Sequence, residues 1–377
     1  MKKTIIYFDN GATTPIYKEV VNEIEYYSIK EYGNPSSPHW LGEYAQEAIN
    51  NARKELAAEI GAKAQEIVFV SGGTEANNLG LRGIAPLKKG KNKILISAIE
   101  HSSIYEVAQY IKSLNYDVRE IPVNRYGIID LNYLEKNIDE NTLIVSVMHV
   151  NNEIGVIQNI KEIGALCKKK GAIFHTDAVQ SFGKERINVR DSGIDLLSAS
   201  AHKIGGPKGI GFLYVKDGIE LKPLIIGGGQ EAGRRGGTEN VPGIMGFAKA
   251  LEITNKVNKD KIKSLRDYLM SKFEKIGGKI NGSKEERIYN NVNVSFQGID
   301  AENLVLFLSQ KGVMSSTRSA CLSKQQKENR VLLALGLNKD EIKGSLRFVL
   351  NEFITKKDID FVVLKIWEFL KINELKK

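Results

Sequence analysis

The residues Ser-Ala-His-Lys at 200–203 end an apolar stretch and precede a loop rich in glycine and proline. A lysine at the end of a buried strand is partly dehydrated. Burial lowers the pKa of its amine, which favours Schiff-base formation with a carbonyl group. Lys203 is therefore a candidate catalytic residue, and Ser200 and His202 alternate towards one side, where they could hold an anion. The competing interpretation is a solvated loop lysine, as we expect for Lys208.

A second candidate is the segment 71–75 (Ser-Gly-Gly-Thr-Glu), which follows an apolar stretch and opens a helical pattern. Glycines let the backbone approach an anion, and the free amides at the start of a helix bind phosphate. Gly73 and Thr74 are thus predicted phosphate ligands. The segment matches neither the dinucleotide-binding fingerprint nor the P-loop, and a threonine-capped turn between strand and helix is the alternative.

Three further residues could bind a flat, charged ring. Asp177 comes just after an apolar stretch, where a buried carboxylate needs a cationic partner such as a protonated pyridine nitrogen. Gln180 could donate to an oxygen on the same ring. His101, which follows the stretch 93–97, could stack on the ring and exchange protons near neutral pH. The alternatives are a helix-capping aspartate and a structural histidine.

Arg347 lies within an apolar run, where an unpaired guanidinium group is costly. Its planar fork suits a carboxylate, so Arg347 could bind an amino-acid substrate with help from Asn152, which also follows an apolar stretch. A structural salt bridge would explain Arg347 equally well.

The chain has two cysteines, which argues against a disulfide framework or a multi-cysteine metal site. Cys321 lies in a stretch of small polar residues that predicts an exposed loop at about 315–330, and such loops position reactive groups. Arg318 and Lys324 would favour its thiolate form. Cys167 has apolar neighbours at helical spacing and is predicted to be a packing residue.

The elements around these residues alternate between strand-like and helical patterns. Strands are predicted at 66–70, 93–97, 117–121, 142–148, 172–175, 196–198 and 211–215, with helices such as 44–60, 103–114 and 160–170 between them. This alternation predicts an α/β fold with a mainly parallel seven-stranded sheet covered by helices. A long helical stretch at 253–276 precedes a strand at 291–296, a helix at 301–311 and a strand near 345–350.

We therefore predict a large domain at 14–255 and a smaller α+β domain formed by residues 1–13 and 256–377. Sites in open parallel sheets lie at the carboxyl ends of strands, where the candidate residues fall.

Composition restricts the class of protein further. The 377 residues are 42% hydrophobic and 26% charged, typical of a globular protein with a sizeable core. No apolar run is long enough to span a bilayer, and the run within residues 1–9 is too short for a signal peptide. We expect a cytoplasmic protein without membrane contact. The net charge of +9 is spread along helices, so we do not expect nucleic-acid binding.

Together these segments resemble the cysteine desulfurases, pyridoxal-phosphate (PLP) enzymes of the NifS/IscS-like type among the class-V aminotransferases. The resemblance extends from residues 7–14 (Tyr-Phe-Asp-Asn-Gly-Ala-Thr-Thr) to the strand of Arg347, nearly the whole chain. Its most specific stretches are 32–37, 148–156, 200–203 and 235–240 (Arg-Gly-Gly-Thr-Glu-Asn), taken in their order and spacing. It implies the aspartate-aminotransferase fold (fold type I) and a homodimer.

The resemblance also implies a role for each candidate residue. Lys203 would carry PLP covalently, and His101 would stack on the ring and move protons. The remaining cofactor ligands would be Gly73, Thr74, Asn152, Asp177, Gln180, Ser200 and His202, with Thr238 from the partner subunit. Asn152 and Arg347 would bind the carboxylate of L-cysteine.

Cys321 would accept the sulfur as a persulfide, leaving L-alanine, and pass it to an acceptor protein such as an iron–sulfur scaffold or a tRNA-thiolation enzyme. No resident metal is implied, only a transient iron–sulfur contact through Cys321. Arg318 stands where the family usually has glycine, and residues 324–330 depart from the family pattern.

Two other functions are compatible with these residues. One is a selenocysteine lyase or another PLP β-lyase, which would not need a protein thiol. The other is a binding protein without enzymatic activity, because a fold alone does not determine function.

Overall fold

The computed structural model describes residues 5–87, 90–317 and 329–374 of the chain. Its strands are β1 Ile6–Tyr7, β2 Ile67–Val70, β3 Lys93–Ser97, β4 Asp117–Ile121, β5 Thr142–Ser146, β6 Ile173–Asp177, β7 Leu196–Ser200, β8 Gly211–Val215, β9 Gly278–Ile280, β10 Asn291–Phe296, β11 Val313–Met314 and β12 Ser345–Val349. Its α-helices are α1 Lys18–Ile29, α2 Trp40–Glu59, α3 Gly73–Ile84, α4 Ser102–Ser113, α5 Leu131–Asn137, α6 Ile160–Lys170, α7 Val241–Thr254, α8 Lys259–Lys275, α9 Ala301–Gln310, α10 Arg330–Ala334, α11 Lys339–Lys343 and α12 Lys356–Glu374.

The main sheet has seven strands in the order β2-β8-β7-β6-β5-β3-β4. Its strands run parallel except β8, which is antiparallel to both β2 and β7. Strands β3, β5 and β7 are buried along their whole length, as expected when helices cover both faces of a sheet. The α/β fold with a mainly parallel seven-stranded sheet is thus confirmed.

A second, smaller sheet has the antiparallel order β12-β10-β9, and β1 pairs in parallel with β11. Its hydrophobic core is separate from that of the main sheet and draws on Phe8 and on residues between Ile262 and Ile366. The boundaries of the two predicted domains, 14–255 and 1–13 with 256–377, stay a prediction.

One predicted helix was wrong. The stretch 253–276 is interrupted, because α7 ends at Thr254 and α8 begins at Lys259. The side chain of Asn258 accepts a hydrogen bond from the Lys261 amide at 2.9 Å and caps α8. Asparagine at such a position favours a helix start, a signal that the lysine-rich pattern concealed. Within the described ranges, no helix is long and apolar enough to cross a membrane.

Candidate active site

A cleft at the carboxyl ends of the parallel strands collects most of the candidate residues. It is lined by Gly11, Ala12, Gly73, Thr74, Asn77, His101, Ser103, Met148, Asn152, Asp177, Val179, Gln180, His202, Lys203 and Arg347. The turns after several strands meet at this edge of the sheet, which explains why residues distant in sequence converge here.

Lys203 lies just after β7, and its amine faces the N-terminal segment. The ammonium group donates to the carbonyl oxygens of Gly11 at 2.6 Å and Ala12 at 2.7 Å. The side chain is half-buried, whereas Lys208 is exposed, as expected for a surface lysine. Two backbone carbonyls therefore hold the amine of Lys203 at the cleft.

The predicted phosphate-binding segment, residues 71–75, contains a backbone turn that favours glycine. Gly72 precedes α3 with φ +150°, and no side chain caps the helix. A Cβ atom on Gly73 would lie 2.6 Å from Val179 Cγ2, so a larger residue would displace the wall of the cleft. The amides of the first turn of α3 are free to bind an anion such as a phosphate group.

Two predicted phosphate ligands lie near this turn. Ser200 is buried beside the glycines, although it does not line the cleft, and its hydroxyl group is 3.5 Å from the Ile210 carbonyl oxygen. His202 lines the cleft, and its Nδ1 lies 3.2 Å from Thr13 Oγ1. Burial and then the charge of Lys203 lower the pKa of His202 to about 3. A neutral His202 would contact a phosphate through hydrogen bonding rather than charge.

Asp177 ends β6 and is 3% exposed. Its Oδ2 accepts a hydrogen bond from Asn77 Nδ2 at 2.8 Å, and its Oδ1 accepts one from the Val179 amide at 2.9 Å. In the part of the chain that the structure describes, no cationic side chain forms a salt bridge with Asp177. A buried carboxylate with this environment fits a protonated pyridine nitrogen.

His101 caps the start of α4. Its Nδ1 accepts a hydrogen bond from the Ser103 amide at 3.1 Å, so a neutral ring carries its proton on Nε2. Burial lowers the pKa of His101, and the charges of Lys203 and Arg347 add to this effect, while Asp177 opposes it.

Arg347 is 1% exposed on β12. Its guanidinium group donates to the Asn152 carbonyl oxygen at 2.8 Å, to Asp9 Oδ1 at 3.0 Å and to Ser316 Oγ at 3.0 Å. Its Nε and the side-chain oxygen of Asn152 are buried without a hydrogen-bond partner among the described residues. Arg347 therefore forms the structural salt bridge considered as an alternative and also keeps a free donor at the cleft.

Two predicted residues among those described do not line this cleft. Thr238 is exposed and lines a separate depression with Ser71 and Arg235. A 3.0 Å salt bridge between Arg235 and Glu75 links its loop to the predicted phosphate-binding segment. Ser200 lies beside the cleft, and Cys321 lies outside the described residues.

The second cysteine, Cys167, has the predicted packing role. It is fully buried in α6, and burial raises the pKa of its thiol to about 12.

Sequence reasoning missed several residues of the cleft. Gln180 lies in the cleft as a predicted residue, but the sequence did not predict that its amide donates to the Gly11 carbonyl oxygen at 3.0 Å. Asn77 also lacked a role, although it lies one helical turn after Thr74 and orients Asp177. Gly11 and Ala12 lie in segment 7–14, which contributed to the family resemblance. The sequence analysis gave neither residue a role of its own.

The donor set fits PLP. A glycine turn at a helix start, a buried carboxylate without a cation and a lysine at the cleft match the phosphate, the ring nitrogen and the aldehyde of that cofactor. The fold and site thus define a PLP enzyme with an open α/β sheet.

Comparison with known proteins agrees with this assignment. The family model for class-V aminotransferases matches residues 6–362. Cysteine desulfurase IscS of Methanosarcina thermophila is 43% identical over 364 residues, covering 95% of this chain and 90% of the relative. Cysteine desulfurase IscS 1 of Archaeoglobus fulgidus is 43% identical over 360 residues, covering 94% of each chain.

Solved structures are similar over nearly the whole fold. A NifS-like protein has a TM-score of 0.92 at 36% identity, covering 98% of this chain and all of the other. SspA in complex with cysteine has a TM-score of 0.84 at 35% identity, covering 93% of this chain and 100% of the other. The chain belongs to the class-V aminotransferases and, within them, to the PLP-dependent cysteine desulfurases.

Proposed function

We propose that this protein takes sulfur from L-cysteine, releases L-alanine and holds the sulfur as a persulfide on Cys321. The observation that carries the proposal is the convergence of Lys203, Asp177 and the phosphate-binding turn in one cleft with a free Arg347 donor. The structural relative SspA was solved in complex with cysteine, which supports the choice of substrate.

When bound, PLP supplies an electron sink that makes the α-proton of an attached amino acid acidic. Lys203, held by the Gly11 and Ala12 carbonyl oxygens, would carry the cofactor and move that proton. Asp177, oriented by Asn77, would keep the ring nitrogen protonated. The Nε2 proton of His101 would be available in the same cleft.

The substrate carboxylate would bind the free Nε of Arg347 and the side chain of Asn152. Arg347 is already fixed by Asp9 and Ser316, so little rotational freedom is lost when the substrate binds. The thiolate of Cys321 would then attack the substrate sulfur. A new S–S bond forms as the C–S bond breaks, and the electron pair of that bond stays with carbon.

We further infer a homodimer in which Thr238 completes the phosphate site of the partner subunit. Its exposure and the salt bridge that ties its loop to the phosphate-binding segment support this inference. The persulfide would pass to an acceptor protein such as an iron–sulfur scaffold or a tRNA-thiolation enzyme. The scarcity of cysteine supports a reducing, cytoplasmic location.

The test combines a spectrum with two matched variants. The purified protein should show the visible absorbance of lysine-bound PLP, and Cys321→Ala should keep that band but release no sulfide from cysteine. Cys167→Ala, which alters a buried packing thiol, should retain turnover. Full activity in Cys321→Ala, or no band after PLP is added, would refute the proposal.

The same assay separates the alternative function. Equal turnover of selenocysteine by the wild type and Cys321→Ala, with no turnover of cysteine, would identify a selenocysteine lyase.

A further inference from the structure

A second, smaller cavity adjoins Lys203. Its polar lining includes Lys184, Lys203, Tyr17, Tyr289 and Glu352. The cavity also touches Ile204 from the core of the main sheet and Leu350 from the core of the smaller sheet. Lys203 therefore contacts both the cleft and a confined space between the two hydrophobic cores.

Lys184 is the unusual residue of this cavity. It is only 7% exposed, and among the residues that the structure describes no acceptor lies within hydrogen-bond or salt-bridge distance of its amine. Buried lysines are rare and normally paired. The catalytic arrangement proposed above does not use this amine.

Burial lowers the pKa of Lys184 to about 7, and repulsion by Lys203 is the next largest cause. Glu185 raises the pKa of Lys184, but by less than Lys203 lowers it. Lys259 lowers this pKa further. Two charged groups near the cavity have partners of their own: Lys259 donates to the Gly183 carbonyl oxygen at 3.1 Å, and Glu352 accepts a hydrogen bond from Tyr17 at 2.7 Å.

We propose that Lys184 is a positioning residue whose charge makes Lys203 release its proton more readily. The two lysines line one cavity, and the charge of Lys203 lowers the pKa of Lys184, so each ammonium group destabilises the other. The neutral amine of Lys203 is the form that reacts with a carbonyl group. The importance of that amine rests on the proposed function, whereas the interaction between the lysines does not.

The direction of the effect follows from the charges. A protonated Lys184 disfavours a protonated Lys203, while a neutral Lys184 exerts no such repulsion. Removing Lys184 can therefore only move the proton release of Lys203 to higher pH. Among the described residues, His101, Asp177, His202 and Arg347 line the cleft together with Lys203, and the substitution leaves them unchanged.

The experiment measures the reactivity of Lys203 without requiring catalysis. The full chain, freed of cofactor, is labelled with trace acetic anhydride between pH 6 and 10, and the labelled peptides are quantified by mass spectrometry. In Lys184→Met, the labelling of Lys203 near neutral pH should fall about tenfold, as expected for two amines that interact by about one pK unit. Lys208→Met removes an equal charge from an exposed site and should leave the curve unchanged.

Unchanged labelling of Lys203 between pH 6 and 7 in Lys184→Met, or labelling reduced equally at every pH, would overturn the proposal. If Lys184→Met does not fold, Lys184→Gln is measured with the same criteria. Because the labelling needs neither PLP nor cysteine, its result is independent of the spectrum that tests the proposed function.

Discussion

Acid should destabilise this protein through His175, which lies in β6 between β5 and β7. The imidazole is fully buried, with Nδ1 2.9 Å from Ser146 Oγ and Nε2 3.1 Å from Ser198 Oγ. Burial lowers the pKa of His175 to about 3, whereas the unfolded chain titrates near 6.5. Between these values the unfolded state binds the extra proton, so stability is lost as the pH falls through this window.

The magnitude follows from the two pKa values. Each pH unit below about 6.5 costs about 1.4 kcal/mol, and the full window is worth about 5 kcal/mol. His175→Gln keeps hydrogen-bonding groups for both serines but cannot be protonated. As the pH falls, the free energy of unfolding of His175→Gln should therefore decrease by about 1.4 kcal/mol per pH unit less than that of the wild type.

Urea unfolding at pH 7, 6 and 5, at one protein concentration, measures this difference. His149, whose pKa burial lowers to about 4, is present in both proteins, so its contribution cancels. If the free energies of the wild type and His175→Gln run parallel over this range, burial does not suppress protonation of His175 and the reasoning is refuted.

Three further predictions concern the cleft and the buried thiol. Asn77→Ala removes a hydrogen bond to a charged group, worth about 1.5–3 kcal/mol. PLP affinity, measured by absorbance titration, should therefore fall about tenfold or more. Arg347→Lys keeps a charge beside Asp9 but loses the planar fork, so steady-state kinetics should show KM for cysteine rising about tenfold with a smaller change in kcat. Iodoacetamide should leave Cys167 unmodified in the native protein and label it after unfolding, as followed by mass spectrometry, because its thiol is buried with a raised pKa.

Each of these three predictions would be contradicted by a specific result. Asn303 is exposed in α9, and Asn303→Ala should retain full PLP affinity. An equal loss of PLP affinity in both asparagine variants would show that Asn77 has no specific role in binding the cofactor. A normal KM in Arg347→Lys would show that the guanidinium group only supports the fold. Alkylation of Cys167 in the native protein would contradict its burial.

Local patterns in the sequence predicted the parts of the fold that depend on local physics. Strand β3 and helix α6 match the predicted ranges fully, because apolar runs and helical spacing are signals within one segment. The glycine turn before α3 was also predictable, since a phosphate-binding helix start needs a close backbone approach. The error at 253–276 arose because one short cap, Asn258, outweighed a continuous helical pattern.

Contacts between distant segments were not predictable in this way. Lys203 bonds to carbonyl oxygens about 190 residues earlier, and Arg347 pairs with Asp9 at the other end of the chain. No periodicity within either segment reports such a contact.

The sequence by itself determined which residue types follow the strands, and its resemblance to the cysteine desulfurases indicated the PLP chemistry, the family and the candidate roles of Lys203 and Asp177. Only the tertiary structure decided what each side chain faces: the carbonyl pair that holds Lys203, the free Nε of Arg347, and the cavity that Lys184 shares with Lys203. The physical reason is that residue type and order are properties of the chain, whereas dehydration and electrostatic coupling depend on which distant atoms share a confined space.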